Sequence, residues 1–127
     1  MELRLVLTVE NIEQALAFYR DRLGLVELEA WHGEGGAVGV LLDAGRATLE
    51  LANEAHAAAV DELEVGSRVA GPVRVAFAVE DSEAMAARLV AAGAEQLAEP
   101  VTVPWGERNV RLRAPDGTQL TLFSVVG

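Results

Sequence analysis

The sequence predicts an α+β fold made of two tandem copies of a βαβββ unit. Three observations predict it. The strand-like run Arg4–Val9 (RLVLTV) returns as Arg74–Val79 (RVAFAV), at an offset of 70. Leu49-Glu50-Leu51 returns as Leu120-Thr121-Leu122, at an offset of 71. Between Val103 and Phe123, two runs of period two flank Pro115-Asp116-Gly117, which is the signature of a β-hairpin. Repetition of one supersecondary unit implies a pseudo-twofold arrangement, with each half's apolar faces covered by its own helix.

The elements follow in order. Leu3 to Val9 alternates with apolar odd positions, so it reads as a strand with one strongly apolar face. Asn11 can cap a helix, with Gln14 as its reciprocal partner. Ile12, Leu16, Tyr19 and Leu23 recur at helical spacing, and Gly24 supplies the stop. Leu25–Trp31, Ala37–Leu42 and Arg46–Ala52 read as strands, separated by the loop His32–Gly36 and the turn Asp43–Gly45. Asn53 to Pro72 departs from this rhythm. It is rich in alanine and acidic residues and reads as a connector with one short helical turn around His56–Leu63, placed over a pocket. The pattern then restarts: strand 74–79, cap Asp81, a helix with Met85, Leu89 and Ala92 on its stripe, stop Gly93, strand Gln96–Val103, and the hairpin. The chain therefore divides into module one (1–53), connector (54–72) and module two (73–127) of a single domain spanning 1–127.

Composition bounds the function. With no cysteine there is no disulfide framework, thiolate metal site or cysteine nucleophile. A net charge of -10 argues against nucleic acid and anionic membrane surfaces. No signal pattern or membrane-length apolar run is present, so a soluble cytoplasmic protein is expected. All ten basic residues are arginine, so every cation is a planar, fixed, multidentate donor.

The chain resembles the vicinal oxygen chelate superfamily of glyoxalases, bleomycin-resistance proteins and extradiol dioxygenases. The resemblance is carried by TVENIEQALAFYRDRLGL at 8–25, LEL at 49–51, VAFAVED at 75–81, and PWG followed by RAPDGTQLTL within 104–122. It implies the glyoxalase/bleomycin-resistance fold, a curved mixed sheet around a cup, in a homodimer. Strand alternation then assigns faces. Leu5, Leu7, Leu49, Leu51, Val75, Phe77, Leu120 and Leu122 belong under the helices. Arg4, Val6, Thr8, Thr48, Glu50, Arg74, Ala76, Ala78, Thr121 and Phe123 face the cup. Metal-using members of the superfamily hold a divalent ion at four points, and the corresponding residues here are Arg4, Glu50, Arg74 and Thr121. Only Glu50 can ligate, because guanidinium has no lone pair to offer and threonine is a poor substitute for carboxylate. No metal or other cofactor is expected.

Arg4 and Arg74 are instead expected to flank Glu50, one pairing with the carboxylate and the other meeting a ligand, with a local charge of about +1. The competing reading is a purely structural bridge. The expected ligand set is Arg4, Thr8, Thr48, Glu50, Arg74, Trp105, Arg111, Thr121 and Phe123, with Glu50 catalytic only if the protein is an enzyme. Arg111 and Arg113 read either as cup rim or as a solvated or interface face. Trp31, Trp105, Phe18, Tyr19 and Phe123 can stack on a planar ligand or pack in core or interface, and Trp105 is the best placed for ligand contact. His32 and His56 are read as ordinary exposed histidines. The functional expectation is a metal-free binder that sequesters a drug or metabolite. The alternative is a lyase, isomerase or dioxygenase-like enzyme using Glu50, with or without a divalent metal. Expected partners are a small-molecule ligand and a second copy of the chain, not nucleic acid or membrane.

Overall fold

The computed structural model describes residues 1–126. Nine strands form one curved, unclosed sheet: β1 (Glu2–Val9), β2 (Val26–His32), β3 (Val38–Asp43), β4 (Thr48–Asn53), β5 (Val73–Ala78), β6 (Glu95–Gln96), β7 (Val101–Val103), β8 (Glu107–Arg113) and β9 (Gln119–Val125). Their order is β2-β3-β4-β1-β5-β9-β8-β6, with β7 also on β8. Each repeat pairs its first and last strands in parallel, Leu5 with Leu49 and Val75 with Leu120. The repeats meet at the antiparallel β1–β5 ladder, where Val6 faces Arg74. Three α-helices and a 3-10 turn at Glu34–Gly36 complete the fold: α1 (Ile12–Leu16, continuing as π-helical turns over Ala17–Arg22), α2 (Glu54–Glu64) and α3 (Ser82–Ala91). Among the described residues, no helix is long and apolar enough to cross a membrane.

The α+β expectation and the curved sheet are observed. Asn11 and Asp81 cap α1 and α3, accepting from the backbone N–H groups of Gln14 and Ala84. Gly24 ends the first helical segment at φ 93°, a left-handed conformation that disfavours a side chain.

Several local expectations are corrected. Leu23 is 63% exposed rather than on the helix stripe. The widened turns shift it off that face: its N–H bonds back five residues to Phe18 O. Gln96–Val103 is not one strand. It breaks into β6 and β7, with Pro100 standing before the second piece. Leu5, expected under a helix, is 38% exposed. The helices explain why. α1 packs on a core of Val40, Leu42, Leu49 and Leu51, and α3 on one of Val110, Leu112 and Leu122. The outer face of the central β1–β5 pair lies between them, uncovered, and Leu3 and Val73 are exposed there too.

The connector differs most. Its single helical turn is an eleven-residue helix, α2. Asn53 explains it. Its Oδ1 accepts from His56 N at 2.9 Å and from Val38 N at 3.0 Å, and its Nδ2 donates to Gly36 O at 2.8 Å. The cap starts a run of good helix formers and ties that start to module one. The far end is tied to module two through Asp61 and Glu64, described below. α2 therefore lies across the concave face.

Candidate functional site

The concave face and α2 enclose a pocket with about 440 Å³ of empty space, its open mouth included. Sheet register builds its floor: β1 contributes Arg4 and Val6, β4 Glu50, β5 Arg74 and Ala76, and β9 Thr121 and Phe123. α2 supplies the roof with His56, Val60 and Glu64. Trp31 and Trp105 stand in the wall, with Glu107 and Asn109 beyond them on β8.

The two arginines behave differently. Arg4 Nη1 lies 3.6 Å from Glu50 Oε1. Arg4 also donates to Glu2 Oε2 through Nε and Nη2, and its guanidinium sits 4.9 Å from the Phe123 ring centroid. It is held on three sides. Arg74 donates from Nη1 to Thr121 Oγ1 at 2.8 Å. Among the described residues no carboxylate oxygen lies within 4.0 Å of its guanidinium. Burial lowers its pKa, and Glu64 and Glu50 oppose that shift.

Glu50 is buried, with His56 Nε2 3.8 Å from Oε2. Burial raises its carboxyl above the usual 4.5, outweighing Arg74 and Arg4, which pull it down. Burial also lowers the His56 imidazole below 6.5, with Arg74 adding to the shift, so the neutral ring is favoured. A carboxyl raised on folding stabilises fully below its unfolded value and loses that contribution as pH rises through its folded value. Glu50→Gln is therefore expected to flatten the decline in stability above about pH 4.5. Urea midpoints followed from acid to alkaline pH check this, and parallel curves for the two proteins would refute it.

His56 corrects an expectation, since it is not an exposed histidine. Its ring stacks on Trp31 at 6.0 Å and 22°, above Gly39. A Cβ at Gly39 would lie 2.6 Å from Nε2, so the missing side chain is what admits the ring. His32 stays exposed at the end of β2.

The structure places the other expected residues as follows. Thr121 is central, accepting from Arg74 and Arg111 Nε and donating to Glu64 Oε1 at 3.0 Å. Trp105 lines the mouth and donates from Nε1 to Glu107 Oε1 at 2.9 Å. Thr8 does not line the main pocket; it lines a smaller adjoining cavity that shares Val6, Glu50, His56, Val60 and Arg74 with it. Thr48 is off the lining, donating to Glu2 Oε2 at 2.6 Å. Phe18 is exposed, and Tyr19 packs on the first core.

Arg111 sits behind the pocket wall and does not line it. Its side chain is 0% exposed, with Nη1 2.8 Å from Asp61 Oδ1 and Nη2 3.0 Å from Glu64 Oε1. Asp61 also accepts from Val69 N, Ala70 N and Arg68 Nη1. Arg113, by contrast, is exposed and pairs with Glu95.

Glu64, Glu107 and Asn109 are further site residues. Glu107 and Asn109 share the alternating face of Arg111 on β8, so period two marks them. Glu64 carries no such signal, because helical spacing in an alanine-rich run does not say which side meets the cup. These residues revise the electrostatics. The expected local charge of about +1 does not hold, because two guanidiniums on the lining face three carboxylates. Burial raises the carboxyl of Glu107 as it raises that of Glu50.

The positions that the resemblance assigns to a metal in this superfamily hold Arg4, Glu50, Arg74 and Thr121. Two guanidiniums, a carboxylate already beside one of them, and a hydroxyl bonded to the other do not fit a divalent ion.

Comparisons with known proteins agree with the architecture. The sequence model described as "Glyoxalase/Bleomycin resistance protein/Dioxygenase superfamily" matches residues 3–122. No curated protein matches the chain. Among solved structures, a hypothetical protein from Bacillus halodurans C-125 is 20% identical, with 98% of this chain and 93% of that one covered at TM-score 0.72. Methylmalonyl-CoA epimerase from Mycobacterium tuberculosis is 20% identical, with 98% and 87% covered at TM-score 0.69. A Streptomyces coelicolor methylmalonyl-CoA epimerase in complex with 2-nitronate-propionyl-CoA is 23% identical, with 96% and 92% covered at TM-score 0.67. At these identities the likeness is one of fold.

Proposed function

The chain belongs to the glyoxalase/bleomycin resistance protein/dioxygenase superfamily, and within it we propose a metal-free protein that binds a small carbonyl-bearing molecule, sequestering a drug or metabolite. One observation carries this reading. Arg74 is a buried cation lining the pocket with no carboxylate oxygen within 4.0 Å among the described residues, whereas Arg4 and Arg111 each have one. Burying an unpaired charge is costly, so a guanidinium held this way is suited to a guest that supplies the missing oxygen. Trp31, Trp105 and Phe123 supply flat apolar area for the rest of that guest.

The test uses the chain's two tryptophans, both of which line the pocket. A panel of aromatic amides, carboxylates and amidines is titrated while the two indole N–H signals are followed by NMR. Elemental analysis is run on the same protein. The expected result is saturable one-to-one binding of an oxygen-bearing probe, unchanged probe on recovery, and only substoichiometric divalent metal. Stoichiometric zinc, nickel or iron would overturn the reading, as would silent indole signals.

A second reading draws on Glu50 and His56. A carboxyl raised by burial beside an imidazole lowered by burial suits proton transfer to and from a bound carbon acid. Solvent deuterium entering a recovered probe, and its loss in Glu50→Gln, would favour that enzyme over a pure binder.

A further inference from the structure

The pocket holds an acceptor without a donor and donors without an acceptor. Asn109 is 3% exposed. Its Nδ2 donates to Glu64 Oε2 at 3.0 Å, while its Oδ1 meets no donor among the described residues. Turning the amide over does not help, since that would set Oδ1 against a carboxylate oxygen. Arg74 is the complement. A guanidinium carries five N–H donors, and among the described residues Arg74 gives one, to Thr121 Oγ1. Both residues line the same cavity and are joined through Thr121 and Glu64.

Charge narrows the guest further. A carboxylate in the cup meets Glu50, Glu64 and Glu107, and a cation meets Arg4 and Arg74. Either guest brings a like charge into a buried site, which is penalised in proportion to how dry the site is. An uncharged molecule avoids both penalties. It also satisfies the two open groups if it offers an oxygen to Arg74 and an N–H to Asn109. Thr121 and Glu64 stand between those groups, so the oxygen and the N–H belong on different edges of the guest. The three aromatic side chains on the lining favour a flat ring.

We propose that the pocket recognises an uncharged planar lactam or imide ring, with a ring carbonyl on Arg74 and a ring N–H on Asn109 Oδ1. This rests on the reading of the cup as a binding site and adds the chemical class and the second recognition residue.

The test compares uracil with 1,3-dimethyluracil, which keeps the carbonyls and loses both N–H groups. Benzoate and benzamidinium serve as charged comparators, all four titrated into the full chain. Uracil is expected to bind tighter than its dimethyl analogue by about tenfold or more, because the analogue leaves Asn109 Oδ1 buried and unpaired. Asn109→Leu is expected to erase that preference, so that the variant no longer distinguishes the two uracils. The wild-type comparison stands alone if the variant does not fold. Equal affinity of the two uracils, or benzoate or benzamidinium binding tighter than uracil, overturns the lactam assignment and leaves the general binding reading intact. Failure of all four probes to bind overturns both.

Discussion

Arg111→Met is expected to destabilise the protein by about 3–5 kcal/mol, because it strands buried carboxylates whose cation has been removed. The side chain is 0% exposed and reaches Asp61 at 2.8 Å and Glu64 at 3.0 Å. Both carboxylates belong to α2, so the loss loosens the roof as well as the sheet. Against a typical total of about 5–15 kcal/mol, the substitution approaches outright unfolding. The milder Asp61→Asn keeps the test readable, because it removes one charge and keeps an oxygen acceptor.

The pH dependence carries a sign. Burial works to raise the Asp61 carboxyl, but the backbone N–H groups of Ala70 and Val69, together with Arg111, hold it below 3.8. A lowered carboxyl contributes stability that is present above its unfolded value and lost as pH falls through its folded value. The gap between wild type and Arg111→Met is therefore largest near neutrality and narrows in acid, as the stranded Asp61 takes up a proton. Urea denaturation from neutral pH into acid measures both effects. A midpoint change equivalent to less than about 1 kcal/mol would sink this account, since that is the scale of an exposed pair.

Arg74→Met should behave in the opposite way. No carboxylate among the described residues lies within 4.0 Å of its guanidinium, so the substitution breaks no direct ion pair and withdraws only the through-space pull on Glu50, which keeps Arg4. Stability is expected to move by no more than about 1 kcal/mol in either direction. Affinity for a carbonyl-bearing probe is expected to fall by about ten- to a hundredfold, the range of a hydrogen bond to a charged group. A variant that loses stability but keeps its affinity would make Arg74 a brace, and the binding proposal would fail with it. Calorimetric titration and urea unfolding of one preparation give both quantities.

The contrast between these arginines shows how far the sequence could be read. Period two placed Arg4, Glu50, Arg74, Thr121 and Phe123 on one face, and register brings them to one pocket. The same rule reached Arg111, but not its surroundings. The partners that bury it come from α2, some fifty residues earlier in the chain. Helical spacing in EAHAAAVDELE does not say which acidic residues turn inward. His56 was illegible for a related reason: the space it fills is defined by a missing side chain, Gly39, on a different strand. Leu5 was misjudged because alternation gives the face of a strand but not the reach of the helix above it. Local pattern carried the sheet. Contacts made by the one unrepeated segment were beyond it.

That segment has a wider consequence. Duplicated halves begin with interchangeable ends, and a cavity between them would inherit two rotation-related ways to seat a guest. A single strap, knotted by an asparagine at one end and by an ion cluster at the other, removes the choice. An imidazole stacked on indole now stands toward one end and an amide oxygen toward the other. Whatever enters must have a head and a tail.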